Sequence, residues 1–228
     1  MSDEQAKQIA RLERKLLRVE AARNEAEQLL ESKTLALYTA LRDAESARDQ
    51  LYAQANSDPL TGLANRRQLE HTFEQLFALN IRDAGIAIGL LLIDLDGFKP
   101  INDNYGHEVG DWVLHQIGQR LTVAARATDC VARIGGDEFV ILCTQIRGPG
   151  DLHTVAERVR REIMKPVRVE DRSSILSASI GYAMGSRSST LGQLLREADT
   201  AMYHAKRTGK NRATAYGDVP VIDTHLIQ

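Results

Sequence analysis

From the first residues to about Asn56, apolar side chains return every three or four positions. Ile9, Leu12, Leu16, Val19, Ala26, Leu30, Leu37, Ala40, Ala44, Ala47 and Leu51 lie on one line, and Arg23 and Lys33 fall on it too. This is a heptad seam. The segment holds no proline or glycine and is rich in Ala, Leu, Glu, Arg and Gln, all good helix formers. Charge of both signs flanks the seam, as on a solvated coiled-coil exterior. The pattern predicts one helix over 1–56. Its apolar stripe is too narrow to stand alone, so it requires a partner helix. Arg23, Lys33 and the alanines thin the seam. Two readings are open: a passive dimerisation stalk, or a stalk with two nearly equal registers whose switching controls the head it carries.

At Ser57-Asp58-Pro59 the pattern stops. Beyond it, a helix is predicted over 66–79, with Leu69, Phe73, Leu76 and Phe77 on one face. The apolar run 86–95 predicts a buried strand. A helix over 109–125 presents Val113, Leu114, Ile117 and Leu121. Strands 130–134 and 138–143 flank Gly135-Gly136 as a hairpin. A helix over 151–164, a strand over 174–184, a helix over 190–208 ended by Gly209, and a short strand near 213–216 complete the order. This is an α+β pattern: a mixed sheet with helices on its faces. The division expected is a helical stalk, 1–56, a globular domain, 57–217, and a loose tail, 218–228.

Composition narrows the function. The 228 residues are 43% apolar, enough for a packed core, and the net charge of −2 gives no global basic field. A protein that coats nucleic acid normally has one, so no nucleic-acid partner is expected. Cys130 and Cys143, the only cysteines, sit in apolar surroundings without metal-type spacing and read as core residues in a reducing compartment. No signal peptide and no run of membrane-spanning length is present, so a soluble, cytoplasmic chain is expected.

Two acidic features carry the chemistry. The apolar strand ends abruptly in Asp94-Leu95-Asp96-Gly97-Phe98-Lys99. A buried strand opens at its end, where ligands bind, and carboxylates there need a cation or hydrogen-bond donors. The hairpin reads Arg133-Ile134-Gly135-Gly136-Asp137-Glu138-Phe139, with two carboxylates directly after a glycine pair suited to a tight turn. Were this tip beside the first strand, Asp94 would meet Asp137 or Glu138. Hard oxygen ligands of that kind suit Mg²⁺, which takes one or two carboxylates and completes its shell from phosphate oxygens and water. Either feature alone is more often a solvated turn.

Gly135-Gly136-Asp137-Glu138-Phe139 resembles the signature of the GGDEF diguanylate cyclases. So do Asp58-Pro59-Leu60-Thr61-Gly62-Leu63-Ala64-Asn65-Arg66-Arg67, the Asp94–Lys99 segment, Asn102-Asp103-Asn104-Tyr105-Gly106-His107 with Gly110-Asp111, and Ala198-Asp199 through Gly209-Lys210-Asn211. The resemblance covers about 57–216. It implies a five-stranded mixed sheet flanked by helices, similar to the polymerase palm and the nucleotidyl cyclases. It implies condensation of two GTP into cyclic di-GMP and two pyrophosphates, with Mg²⁺ as cofactor and Mn²⁺ able to substitute. By that resemblance Asp94, the Leu95 carbonyl, Asp137 and Glu138 are the metal ligands. Asp137 accepts the proton of the ribose 3′-OH, and Glu138 is the neighbouring catalytic acid. Gly97, Phe98 and Lys99 cradle phosphates, Arg133, Lys206 and Lys210 supply positive charge, and Asn102, Asp111 and His107 belong to the guanine segment. Arg126-Ala127-Thr128-Asp129 matches the family's RxxD inhibitory site, where cyclic di-GMP would bind through Arg126 and Asp129, with Arg158 as the second arginine. Two heads must face each other, so a homodimer or higher homo-oligomer through the coiled coil is implied, and a regulatory protein docking on the stalk fits the absence of a recognisable sensor. The alternatives are a non-catalytic GTP or cyclic di-GMP receptor, a coiled-coil scaffold, and a cyclase with another product.

Overall fold

The computed structural model describes residues 3–80, 87–169, 172–186 and 188–220. The Phe77 side chain, Ile86 and tail residues 221–228, each assigned a place from the sequence, lie outside the described residues. The chain forms two compact units, Met1–Ala53 and Gln54–Gln228.

Helix α1 (Asp3–Asn56) is unbroken over 54 residues. At 1.5 Å per residue it extends about 81 Å. The seam is bare in the single chain: Leu12, Leu30, Leu37 and Leu51 are each at least 60% exposed. Seam residue Arg23 turns aside to Glu27, one turn on, at 3.0 Å.

In the second unit, α2 (Arg66–Asn80), β1 (Ala87–Asp96), α3 (Phe98–Tyr105) and α4 (His107–Ala124) are followed by β2 (Cys130–Gly135) and β3 (Glu138–Ile146). Then come α5 (Pro149–Ile163), β4 (Val167–Val169), β5 (Arg172–Ser174), β6 (Ser177–Met184), α6 (Leu191–Arg207), β7 (Arg212–Ala215) and a 3₁₀ turn, Tyr216–Asp218. The main sheet has the order β2-β3-β1-β6-β7, with β4 and β5 forming a separate pair. All neighbours in the main sheet are antiparallel except β6 and β7, which makes it mixed.

Strand pleat divides β1 between two cores. Leu91, Ile93 and Leu95 pack with Val113, Ile117 and Leu121 of α4 and Leu152, Val155 and Val159 of α5. Ile88, Leu90 and Leu92 face Leu69 and Phe73 of α2 and Leu194, Ala198 and Met202 of α6. Asp94 and Asp96 continue this second row, so their side chains leave the sheet on the α6 side. Gly181 of β6 lets α6 lie directly on the sheet. A Cβ there would collide with the Ala198 carbonyl oxygen and the Met202 backbone nitrogen.

Three differences from the sequence-based expectations have physical causes. Residues 98–105 form a helix that no periodicity announced; it is one of only eight residues, and Pro100 is tolerated in its first turn. The expected strand 174–184 is broken: the β4–β5 pair ends at Ser174, Ile175 points outward and Leu176 inward, and β6 starts at Ser177. α4 and α5 begin two residues earlier than expected, α5 with Pro149 in its first turn.

Asn65 ties the start of this unit together. Its side-chain oxygen accepts from Gln68 N–H at 3.0 Å, capping α2, and its amide donates to the Ala55 carbonyl at 2.9 Å. Its backbone N–H donates to the Asn56 carbonyl at 2.9 Å. Ala64 pairs with the outer edge of β2, donating to Val131 O at 3.2 Å and accepting from Arg133 N at 2.9 Å.

Candidate active site

The register places the acids together. Asp94 is opposite Glu138 on β3 and opposite Ser179 on β6. Glu138 lies on the same face as Asp94, because Val140 and Leu142, two and four residues on, share the core of Leu90 and Leu92. Asp137 occupies the hairpin tip just before Glu138, after Gly136 at φ 49°, a left-handed position that suits glycine. The ladder therefore brings together two acidic halves that lie more than forty residues apart along the chain.

Lys206, in the last turn of α6, donates to Asp94 Oδ2 at 2.7 Å. The close seat of α6 on Gly181 makes that reach possible. Burial pushes the Asp94 carboxyl up; Lys206 opposes the shift, Asp137 and Asp96 add to it, and the net value lies above the ordinary carboxylate range. Burial also raises Glu138, helped by Asp94, opposed by Lys206, and raised further by Asp137 and Asp199. Asp199 is thus a further acid of the cluster, one that the sequence placed inside a motif without a role. Its position on α6, seven residues before Lys206, was the available signal.

This set fits Mg²⁺ in one particular way. The donors are hard oxygens, but among the described residues no three His, Cys, Asp or Glu side chains close into an all-protein cage. An ion that keeps water and substrate phosphate in its shell suits such a partial set.

α3 starts where β1 stops. Gly97 caps it at φ 81°, ψ 17°, directly after the acidic strand end. Phe98 is buried beneath this turn and Lys99 is exposed. Asn102 lies against α4 at Gly110, where a Cβ would overlap the Asn102 side-chain oxygen. Asp111 follows Gly110 on α4. His107 begins α4 and is exposed, as are Asp111 and Lys210.

The structure gives Arg133 definite partners. Its guanidinium donates to both Asp58 oxygens at 3.1 Å and to the Gly136 carbonyl at 2.9 Å, with 12% of the side chain exposed. Asp58 also accepts from Thr61 N–H at 2.9 Å and from the Thr61 hydroxyl at 2.6 Å. Burial raises the Asp58 carboxyl, but the Thr61 and Arg133 bonds outweigh it and the net value is lowered. Arg133 thus braces the hairpin tip against the 57–65 segment.

Arg126 and Asp129 lie away from the acidic strand end, on the loop before β2. Asp129 is engaged by the fold: it accepts from Arg126 N–H at 2.8 Å and from Thr144 N–H at 3.0 Å. Arg158 of α5 has Nε and Nη2 buried without a hydrogen-bond partner.

Residues 55–212 match the family described as "Diguanylate cyclase, GGDEF domain". The chain belongs to the GGDEF family. Within it, this GGDEF chain is 42% identical over 183 residues to the bifunctional diguanylate cyclase/cyclic di-GMP phosphodiesterase MucR of Pseudomonas aeruginosa. That match covers 80% of the chain and 26% of MucR, so the GGDEF chain spans about a quarter of the length of this curated relative. Two solved structures share its architecture. The coiled coil and GGDEF domain of DgcB from Caulobacter crescentus, in complex with c-di-GMP, superpose with a TM-score of 0.74 at 26% identity, covering 82% of this chain and 98% of that one. Diguanylate cyclase SiaD from Pseudomonas aeruginosa, in complex with its activator SiaC, gives 0.67 at 30% identity, covering 93% and 86%. Among the described residues no helix is long and apolar enough to cross a membrane.

Proposed function

We propose that this chain is a diguanylate cyclase acting in the cytoplasm as a homodimer or higher homo-oligomer. Residues 1–56 are its dimerising stalk, 57–217 its catalytic domain and 218–228 its tail. The observation that carries the reading is the pairing of Asp94 with Glu138 at an open strand end, with Asp137 beside them and Lys206 2.7 Å from Asp94.

Asp94, the Leu95 carbonyl, Asp137 and Glu138 would hold Mg²⁺ or Mn²⁺. The ion, when bound, lowers the pKa of the attacking hydroxyl and neutralises charge on the entering and leaving oxygens. The Gly97–Lys99 amides, Lys99, Lys206 and Lys210 receive the triphosphate, and Arg133 keeps the hairpin tip in place. Asn102 and Asp111 read guanine. A carboxylate at Asp111 accepts from N1–H and the exocyclic amine, which adenine does not offer, and His107 lines the same segment. Asp137 takes the proton of one ribose 3′-OH as that oxygen bonds to the α-phosphorus of the other GTP and the bond to pyrophosphate breaks. Repeating the step closes the ring and releases the second pyrophosphate. Each head holds one GTP, so two heads must meet about a two-fold axis.

Incubation of the purified chain with GTP and Mg²⁺, with products identified by mass spectrometry, should yield cyclic di-GMP and pyrophosphate. GTP bound but unconverted would favour a receptor, no binding would favour a scaffold, and conversion of ATP would shift the product class.

Cyclic di-GMP is proposed to inhibit at Arg126, Asp129 and Arg158, a reading supported by Arg158 Nε and Nη2, which are buried without a hydrogen-bond partner. Asp129 fastens the loop to Thr144, so its removal would confound folding with inhibition. Arg126→Ala is the cleaner test. The product concentration for half-inhibition should rise about tenfold or more, as for one lost charge-assisted contact, with the initial rate unchanged. An unaltered inhibition curve counts against the site. A regulatory protein on the stalk is a further element of this reading, supported by SiaD being in complex with its activator SiaC.

A further inference from the structure

Asp96, the second acid of the strand end, has no part in the proposed reaction, yet its carboxylate is fully engaged. Oδ1 accepts from the Ser179 hydroxyl at 2.8 Å, and Oδ2 accepts from the Ser177 hydroxyl at 2.9 Å and from Asn211 N–H at 3.0 Å. Asn211 is gripped a second time. Its side-chain oxygen accepts from Arg160 Nη1 of α5 at 3.0 Å, and Arg160 is itself steadied by Glu157 at 3.0 Å.

The gripped turn is strained. Gly209, Lys210 and Asn211 are at φ 124°, 60° and 47°, a run of three positive values. Glycine adopts these readily and asparagine with little loss, whereas lysine does not. Such a conformation persists where its surroundings over-determine it, and it concentrates at functional sites. One end of the turn is tied to α6, since Lys210 N–H donates to Ala205 O at 2.9 Å. One residue after Ala205, Lys206 reaches Asp94 at 2.7 Å. The other end is held between β1 and α5.

We propose that Asp96 and Arg160 are positioning residues that hold the 209–211 turn, and with it Lys206 and Lys210, at the acidic strand end. The proposal rests on the cyclase reading, in which these lysines meet the triphosphate. Asp96 is then not a metal ligand. Its two oxygens already serve three donors, one of them a backbone N–H that cannot turn away.

Asp96→Ala, Asp96→Asn and Arg160→Met test it in the full-length chain. Amide hydrogen exchange over 208–212 is measured without nucleotide, together with the thermal midpoint and the KM and kcat for GTP. Loss of either jaw should speed exchange in this turn about tenfold and raise KM about tenfold, with kcat changing less. Asp96→Asn should recover most of the loss in Asp96→Ala. An amide oxygen still accepts from Asn211 N–H, and the Ser179 hydroxyl can rotate to accept from the new NH₂. A metal ligand behaves otherwise: asparagine would be as damaging as alanine, and the loss would fall on kcat and on the Mg²⁺ requirement. That pattern, or unchanged exchange in the turn, overturns the proposal. Wild-type protein is assayed first, so failure to bind or convert GTP identifies a failure of the cyclase reading itself.

Discussion

Asp94→Asn is expected to lower cyclic di-GMP formation by about a thousandfold or more while the fold survives. The loss follows from the position of the carboxylate. It stands opposite Glu138 and is the acid at the open end of β1 that Lys206 contacts. Removing a ligand that neutralises developing phosphate charge forfeits several kcal/mol, and about 4 kcal/mol corresponds to a thousandfold. The survival of the fold follows from the pKa shift. Burial raises the Asp94 carboxyl despite Lys206. The folded state therefore binds more protons than the unfolded one between the two pKa values. The stability this group contributes is complete below the unfolded value and is lost as pH rises through the folded value. At neutral pH the charged carboxylate is thus a burden, and asparagine, of the same shape, should leave the melting temperature level or higher in a metal-free buffer. Glu138 is raised in the same direction, so the charged pair opposes itself. The Lys206 contact opposes this shift, and burial outweighs it. Melting curves with a chelator at pH 5 and pH 8, beside the GTP assay, provide the check. Wild type should gain on the variant as pH falls. A variant that retains turnover, or that melts far below wild type at pH 8, would break the argument.

Asp94 also marks the boundary between what a linear chain displays and what it hides. The stalk was legible because the heptad is a local repeat with no breaker before Asn56. The long strands and helices of the head were legible for a related reason: Leu90 to Ile93 form a purely apolar run, and Leu114, Ile117 and Leu121 share a helix face. The convergence of the acids was only conditionally legible. Asp94 and Glu138 carry no sign of each other; the β1–β3 register pairs them, and register is a non-local property. α3 was hidden because eight residues hold too few turns to show a period. Arg133 shows a third kind of gap. Its place beside the signature suggested positive charge for phosphate, whereas Asp58, distant in sequence and brought near by the Ala64 bridge to β2, claims its guanidinium. Asp96 and Arg160 were silent for the same reason, since Asn211 joins them only after β6 is laid beside β1 and β7 beside β6. The chemistry of single motifs was readable along the chain, while the partners of each charged group depended on long-range pairing.

Deleting residues 1–53 should leave a folded head whose turnover depends steeply on its own concentration. The cut removes the unit Met1–Ala53 and keeps Ala55 and Asn56, the acceptors for Asn65, so the cap on α2 is preserved. The deletion takes away the exposed apolar seam of Ile9, Leu12, Leu16 and Val19. In the proposed homodimer that bare face would be covered by a second copy, across a seam that Arg23 and Lys33 interrupt. Linking two heads raises their effective concentration into the millimolar range. At about 1 µM of truncated protein the rate per chain should therefore fall by as much as about a thousandfold, and it should climb roughly in proportion to protein concentration. Full-length protein should keep a nearly constant rate per chain over the same range. Fusing an unrelated parallel dimeric coiled coil in heptad register to residue 54 should restore most of the rate, because the stalk then acts only to hold two heads together. If turnover of the truncated head is undiminished and independent of concentration, one head suffices and the two-headed mechanism is wrong. If the foreign coiled coil dimerises the head without restoring the rate, the native seam contributes a register, and the choice between a passive stalk and a switching one falls to the second.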